Sequence, residues 1–380
     1  MKKILHILLS GSRGGLELYV CRLMQKQAEA GFEVFAFILE NSEVHKILAQ
    51  NSAIRCIFGK PNRRLHWQNI RHLRKILKTY QIPLLHSHNS LDVWTASLAN
   101  YDKICKHFYS AYIMIGAKKK LPHYYFIYGN LEAAISTSLV TNEALAQNLP
   151  INPDKIHLVR YGVDTEKLSP NSEKREQIRK QWGVAENQIV IGTLARITKF
   201  KNVKELAQAF LHIEEKFRKK VVIWLIGEPS ILYSDEKTTI YQPEDLAIEQ
   251  EIQEFVQKHS LQTHIIRIPF QKDYIAYLNA MDIFVLASQH EMYSLSMIEA
   301  MLMGKPVIGL ASGGTPEQIG NNERGLLIQE ATPQAIAQAI NLYLESPELM
   351  QEKAQAAQTW ALREHNWHNT LAEYNKVYGV

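Results

Sequence analysis

At 380 residues the chain is long enough for two domains, each burying its own core without disulfides or metals. A hydrophobic share of 46%, with 21% charged residues, 18 Gly and 13 Pro, excludes a disordered or low-complexity chain, and three widely spaced cysteines (Cys21, Cys56, Cys105) with no Cys-x-x-Cys argue against a disulfide framework or a cysteine-built zinc site. The net charge of +5 hides an asymmetry: residues 1–164 carry 21 Lys/Arg against 11 Asp/Glu and the remainder 22 against 27, so the first half expects an anionic partner.

Only about half a dozen apolar residues separate Lys2-Lys3 from Ser10, Gly11 and Arg13, too few for the apolar region of a secretory signal. No stretch approaches the ~18 to 20 apolar residues of a spanning helix. A cytoplasmic protein is expected, peripheral to the inner face of the cytoplasmic membrane at most.

In chain order, Ile4 to Leu9 reads as a buried strand that runs into a glycine turn and an amphipathic helix over about 16–30. Val34 to Leu39, Ile54 to Phe58 and Leu84 to His88 repeat the pattern, a strand falls near His107 to Ile113, and Ala133 to Thr137 and Ile156 to Val159 complete the half. Strands alternating with helices call for a parallel sheet covered on both faces. Residues 165–187, rich in Lys, Glu, Ser and Asn with Pro170, carry no strand and read as a linker.

A second series follows: Ile189 to Leu194, Val221 to Ile226, Ile265 to Ile268, Ile283 to Leu286, Val307 to Leu310 and Leu326 to Ile328, with helical patterns at 203–217 and 333–344. The polar connection 228–246, through Tyr233, Lys237 and Asp245, reads as a long mobile loop. The expected fold is α/β, with two doubly wound parallel-sheet, Rossmann-like domains, 1–164 and 188–362, facing a cleft that would hold the ligand.

Three segments are candidates for chemistry. Gly11-Ser12-Arg13-Gly14-Gly15 follows the first strand and opens a helix, so it offers backbone N–H groups to an anion and lets a phosphate or sugar approach closely. Its spacing is not the dinucleotide fingerprint, and a tight turn without a ligand is the alternative. Arg196-Ile-Thr-Lys-Phe-Lys201 follows the strand ending at Leu194; cations there are placed to neutralise a diphosphate whose charge grows as its bond to carbon breaks, the alternative being a solvated basic turn. In His290 to Met301, Glu291 sits in a loop, Ser294 or Leu295 starts a helix, and Glu299 lies just over one turn inside. Carboxylates flanking a helix N-terminus bind sugar hydroxyls while the helix end takes phosphate; a capped helix start with Glu299 satisfied structurally is the alternative.

Taken with Gly14-Gly15-x-Glu17, His86-Ser-His88, Tyr161-Gly-Val-Asp164, the Arg196/Lys201 pair and Gly313-Gly-Thr-Pro-Glu317, the spacing Glu291-x7-Glu299 resembles the signature of the retaining glycosyltransferases of family 4, which have the GT-B architecture. These features run in the family's order over nearly the whole chain. The resemblance implies that Glu299 holds the ribose hydroxyls of a nucleotide sugar and Glu291 the hydroxyls of the transferred sugar. Arg196 and Lys201 would neutralise the diphosphate, assisted by amides near Tyr293, Ser294 and Leu295, with Arg196, Lys201 and Glu291 the catalytic residues. Gly14 and Gly15 would close over the donor, and Glu17, His88 and Tyr112 are the acceptor-side candidates.

It further implies retention by front-face attack, in which the leaving phosphate takes the acceptor's proton, with no metal cofactor; the chain has no Asp-x-Asp. A C-terminal segment, 363–380 with Trp367, is expected to return to the first domain. Three positions depart from the family's pattern. Met292-Tyr293-Ser294 replaces a common Gly-Phe-Gly, Tyr112 stands where a histidine is often found (His107 and His123 being the alternatives), and Gly227-Glu228-Pro229 replaces a Gly-x-Gly turn.

Between 63 and 78, Trp67, Ile70, Leu73 and Leu77 recur at helical spacing among Arg63, Arg64, Arg71, Arg74, Lys75 and Lys78. The stretch reads either as a helix lying on an anionic membrane surface or as a core-facing helix with a solvated basic face, and Lys118-Lys119-Lys120 is a second basic point. No nucleic-acid module is present, because aromatic and basic residues are not interleaved in a binding pattern.

The expected activity is transfer of a hexose or N-acetylhexosamine from a nucleotide diphosphate sugar, UDP-linked before GDP-linked, to a hydroxyl of a glycan or lipid-linked acceptor, as in bacterial cell-surface polysaccharide or lipopolysaccharide biosynthesis. A sugar-nucleotide epimerase of the same architecture and a non-catalytic sugar-nucleotide-binding module are the alternatives.

Overall fold

The computed structural model describes every residue except 1, 13, 62–64 and 235–237, and every described side chain except those of Lys167, Tyr233 and Ser234. Arg13, Arg63, Arg64 and Lys237, singled out above, lie outside the described residues. The chain forms two compact units, Met1–Gly162 with Asn366–Val380, and Val163–His365.

The first unit is built on seven strands, β1 (Lys2–Leu8), β2 (Phe32–Leu39), β3 (Ile54–Gly59), β4 (Leu84–Ser87), β5 (Lys106–Ala111), β6 (Ala133–Ser136) and β7 (Ile156–Leu158). They pair in parallel in the order β3-β2-β1-β4-β5-β6-β7. The order reverses between β1 and β4, and loops at the carboxyl ends of such a pair splay apart to leave a crevice. The central strands are near-continuous apolar runs because helices bury both their faces.

In the helix Trp67–Thr79, Ile70, Leu73, Ile76 and Leu77 pack in the core with Leu5, Phe35 and Phe37. This part of the stripe therefore faces the protein, as in the second of the two readings, whereas Trp67 at the start of the helix is exposed along with the basic face. There Arg74 binds both oxygens of Asp102 at 2.7 Å. The last helix, Trp367–Tyr378, belongs to the first unit and buries Tyr374 and Tyr378. Gly162 is required beside it: a Cβ there would lie 2.6 Å from the Trp367 ring.

The second unit holds β8 (Ile189–Leu194), β9 (Val221–Ile226), β10 (Ile231–Ser234), β11 (Thr239–Tyr241), β12 (Ile265–Ile268), β13 (Ile283–Leu286), β14 (Val307–Leu310) and β15 (Leu326–Ile328). Six of them form a parallel sheet in the order β12-β9-β8-β13-β14-β15. The connection read as a mobile loop instead carries the antiparallel hairpin β10–β11, closed at its base where Gln242 N donates to Ser230 O at 2.8 Å.

Residues 165–187 form a 3-10 turn, Thr165–Leu168, and a helix, Ser172–Gln181, both in the second unit. Arg175 and Arg179 of this helix grip Asp282, whose Oδ2 also accepts from Val190 N at 2.7 Å. All three cysteines are free thiols. Among the described residues no helix is long and apolar enough to cross a membrane.

Candidate functional site

The strand order of the second unit reverses between β8 and β13, and the loops leaving their carboxyl ends carry the predicted residues. After β8, Ile197 N donates to Glu228 O at 2.9 Å, and a 3-10 turn over Lys199–Lys201 ends at Asn202 in the left-handed region, φ 50°. Asn accepts this conformation at lower cost than most residues. Its Nδ2 donates to Ala287 O at 2.6 Å, and Gln289 N donates to Phe200 O at 2.7 Å, so the two loops are bonded to each other. Lys201 Nζ makes an ion pair with Glu291 Oε2. Arg196, in the same loop after β8, is exposed.

Glu291 is held through its backbone. Its carbonyl accepts from Gly314 N at 2.7 Å, and a Cβ on Gly313, φ 58°, would lie 2.2 Å from that oxygen. Glycine is thus the one residue that fits the approach, the physical content of Gly313 in the motif. Ser294 caps the helix Leu295–Leu302, its Oγ accepting from Met297 N at 3.2 Å.

The amide of Ser294, expected to face a diphosphate, instead donates to Gln318 Oε1 at 3.0 Å, and Gln318 Nε2 returns a bond to Ser294 O at 2.9 Å. The first-turn amides of Leu295 and Ser296, which have no intrahelical carbonyl, are the better anion donors. Glu299 is buried and accepts from Tyr274 Oη at 2.7 Å. The ring of Tyr293 turns inward, its hydroxyl 3.3 Å from Nε2 of buried His365. Tyr293→Phe is expected to keep the ring packing and cost about 1 kcal/mol for the lost hydrogen bond, read from a urea unfolding curve.

The remaining predicted residues lie in the first unit. Glu17 braces the glycine turn: Oε2 accepts from Gly14 N at 2.8 Å and Oε1 from Ser10 Oγ at 2.7 Å. This is half a capping box, with Gly14 as N-cap of the helix Gly15–Glu29. His88 and Tyr112 come together at 3.1 Å, whereas His107 is buried near the start of β5, 2.9 Å from Ser87 Oγ, and His123 packs on Trp94.

His88 belongs to a larger array that sequence reading missed. Gln27 Oε1 only accepts, so His6 donates to it from Nε2 at 2.6 Å and must accept at Nδ1 from His88 Nε2, 2.8 Å away; His88 Nδ1 then accepts from Tyr112. On the other side Gln27 Nε2 donates to Tyr378 Oη at 3.2 Å, Tyr378 donates to His86 Nδ1, and His86 Nε2 donates to Ser110 Oγ, both at 2.8 Å. Burial lowers His6 to about 4 and His107 to about 3, and pushes His86 and His88 well down. Three neutral rings with defined tautomers result. Their ligand atoms lie within 4.8 Å of one another, a spacing that also suits a metal, but every ring nitrogen already has a protein partner.

Tyr274, Gln318, His365 and Gln27 carried no local signal, since each acts on a partner at least 20 residues away. His6 did carry one: it is a polar residue in the middle of the apolar run Ile4-Leu5-His6-Ile7-Leu8.

Two family profiles match the chain: "Glycosyltransferase Family 4" over residues 13–167 and "Glycosyl transferases group 1" over 174–360. The D-inositol 3-phosphate glycosyltransferase of Corynebacterium glutamicum is 27% identical over 236 residues, 62% of this chain, and the chain spans about half (54%) of that relative's length. A glycosyltransferase from Rickettsia africae superposes with a TM-score of 0.86 at 20% identity, over 99% of this chain and 97% of its own. Anabaena HepE, solved with UDP and glucose, gives 0.82 at 17% identity, over 99% and 98%. With both profiles matched in sequence and two parallel-sheet α/β units in the fold, the chain belongs to the family 4 glycosyltransferases and has the GT-B architecture.

Proposed function

We propose that the protein transfers a hexose or N-acetylhexosamine from a nucleoside diphosphate sugar, UDP-linked in the first instance, to a hydroxyl of a glycan or lipid-linked acceptor, with retention and without a metal ion. One observation carries the reading: the Lys201–Glu291 pair stands where the sheet order reverses, next to a capped helix start whose interior holds the buried Glu299. A carboxylate that only accepts is suited to a vicinal diol, and fixed cations with helix amides are suited to a diphosphate. The complex of HepE with UDP and glucose supports a donor of this class.

In the proposed step the bond from the anomeric carbon to the diphosphate oxygen breaks and the bond to the acceptor oxygen forms on the same face. The acceptor's proton passes to the departing oxygen. Arg196, Lys201 and the amides of Leu295 and Ser296 hold the growing charge, the electrostatic work a metal does elsewhere. Acceptor contacts are sought in the first unit, where Tyr112 donates to His88.

Calorimetric titration with UDP-glucose tests the donor assignment. Glu299→Ala is expected to weaken binding about 10- to 100-fold, the worth of a charge-assisted hydrogen-bond pair, with turnover unaffected by a chelator. Unchanged affinity in a folded Glu299→Ala protein overturns the assignment. Donor converted to an epimer without acceptor would instead establish the epimerase reading.

A further inference from the structure

The basic excess of residues 1–164 is not consumed by the donor site, which lies in the other unit. Much of it converges at one place. A cavity of about 680 Å³ opens at the amino ends of β1, β4 and β5 and is lined by Lys2, Lys3, Lys103, Lys106 and Lys155, with Glu132 the one side-chain carboxylate among its described lining residues. In a parallel sheet this is the edge opposite the carboxyl ends where substrates bind. The five lysines come from three stretches of chain, 2–3, 103–106 and 155, so their convergence is a product of the fold.

Two of them are set in place by backbone carbonyls: Lys3 Nζ donates to Tyr80 O at 2.9 Å and Lys155 Nζ to Leu131 O at 3.1 Å. An ammonium has three donors, so each retains two. Lys106 Nζ lies 3.7 Å from Glu132, an exposed pair that is weakly held. Lys103 sits in the left-handed region, φ 54°, a conformation that costs a long side chain more than it costs Asn or Gly. Five ammonium groups around the one Glu132 carboxylate leave cations in excess, and an anion bridging them relieves their mutual repulsion.

We propose that this cavity is a second ligand site, for a small anion carrying two or more phosphate groups. The volume falls in the range of small-molecule sites, and compact ammonium groups suit phosphate oxygens. Because Tyr378, Gly379 and Val380 line the same cavity, an occupant ties the chain's last turn to the first strand and stabilises the first unit. The site does not depend on the donor reading above.

Inorganic tripolyphosphate is the probe, titrated by calorimetry at constant ionic strength against the whole protein with the donor site saturated by UDP. One-site binding is expected, with a rise in melting temperature. The double variant Lys103→Ala/Lys106→Ala, in exposed side chains away from the donor loops, should weaken binding at least tenfold and abolish the thermal shift while leaving UDP affinity unchanged. Equal tripolyphosphate affinity in the wild type and the variant overturns the proposal. So does binding that UDP displaces, which would place the anion in the donor site, and so does lysine-dependent binding to anionic phosphatidylserine vesicles without binding of tripolyphosphate, which would make the patch a membrane contact.

Discussion

Lys201→Ala is expected to lower kcat about 10²- to 10³-fold with a much smaller change in the KM for donor. In the proposed reaction the leaving diphosphate carries more charge in the transition state than in the bound donor, so a fixed cation beside it would act chiefly on the barrier. Lys201 is pre-positioned for this by the 3-10 turn behind it, by Asn202 bonded to Ala287, and by its ion pair with Glu291. The same substitution leaves Glu291 without its cation, and part of the loss will arise there. Lys201→Arg separates charge from position: it keeps the cation, and recovery of only part of the activity shows that placement matters. A kcat within threefold of the wild type in Lys201→Ala would remove Lys201 from the reaction.

The second large effect is on stability in acid. His6, His86, His88 and His107 are buried with their pKa values lowered, His6 to about 4 and His107 to about 3 from 6.5, by burial above all. An unfolded chain protonates these rings near pH 6.5, whereas the folded chain resists until the lowered value. The unfolded state therefore binds more protons in between, so stability is complete above pH 6.5 and falls as the pH drops toward 4. A ring moved from 6.5 to about 4, as His6 is, loses about 2 kcal/mol between pH 7 and pH 5, and the other three rings act in the same direction. Burial explains the resistance, since a charged ring would have to give up water, and the bond from His6 to Gln27 opposes the shift only in part. Urea midpoints at pH 7 and pH 5 check this, in a window above the range where ordinary carboxylates titrate. An unchanged midpoint would mean that the rings are hydrated.

What could be read from residues alone was set by whether the signal is local. Strands such as Val221–Ile226 were legible because burial on both faces writes an unbroken apolar run. The hairpin β10–β11 was not, since its strands are only four and three residues long and Leu232 and Ile240 are exposed, so neither strand writes a buried apolar run. The helix Ser172–Gln181 is almost entirely polar; it is fixed by Arg175 and Arg179 reaching Asp282, about a hundred positions away, which no window of sequence contains. At the loops after β8 and β13, residue types and spacing pointed to Lys201, Glu291 and Glu299. The partners around them, Tyr274 on Glu299 and Asn202 beside Lys201, became visible only when the chain was folded. Ser294 shows the reverse limit: a helix start offers free amides in principle, yet one of them is already taken by a glutamine side chain.

The last helix has a consequence for how the protein is made. Tyr378 is buried in the first unit and bonded to His86 and Gln27, yet it is synthesised only after the whole of Val163–His365. On the ribosome the sheet of the first unit can assemble early, but its histidine array lacks a partner until Tyr378 emerges. The first unit is thus completed only after the second has been synthesised. A chain truncated before Asn366 leaves that sheet with an open face, so arrested or clipped products expose apolar surface and become substrates for quality control.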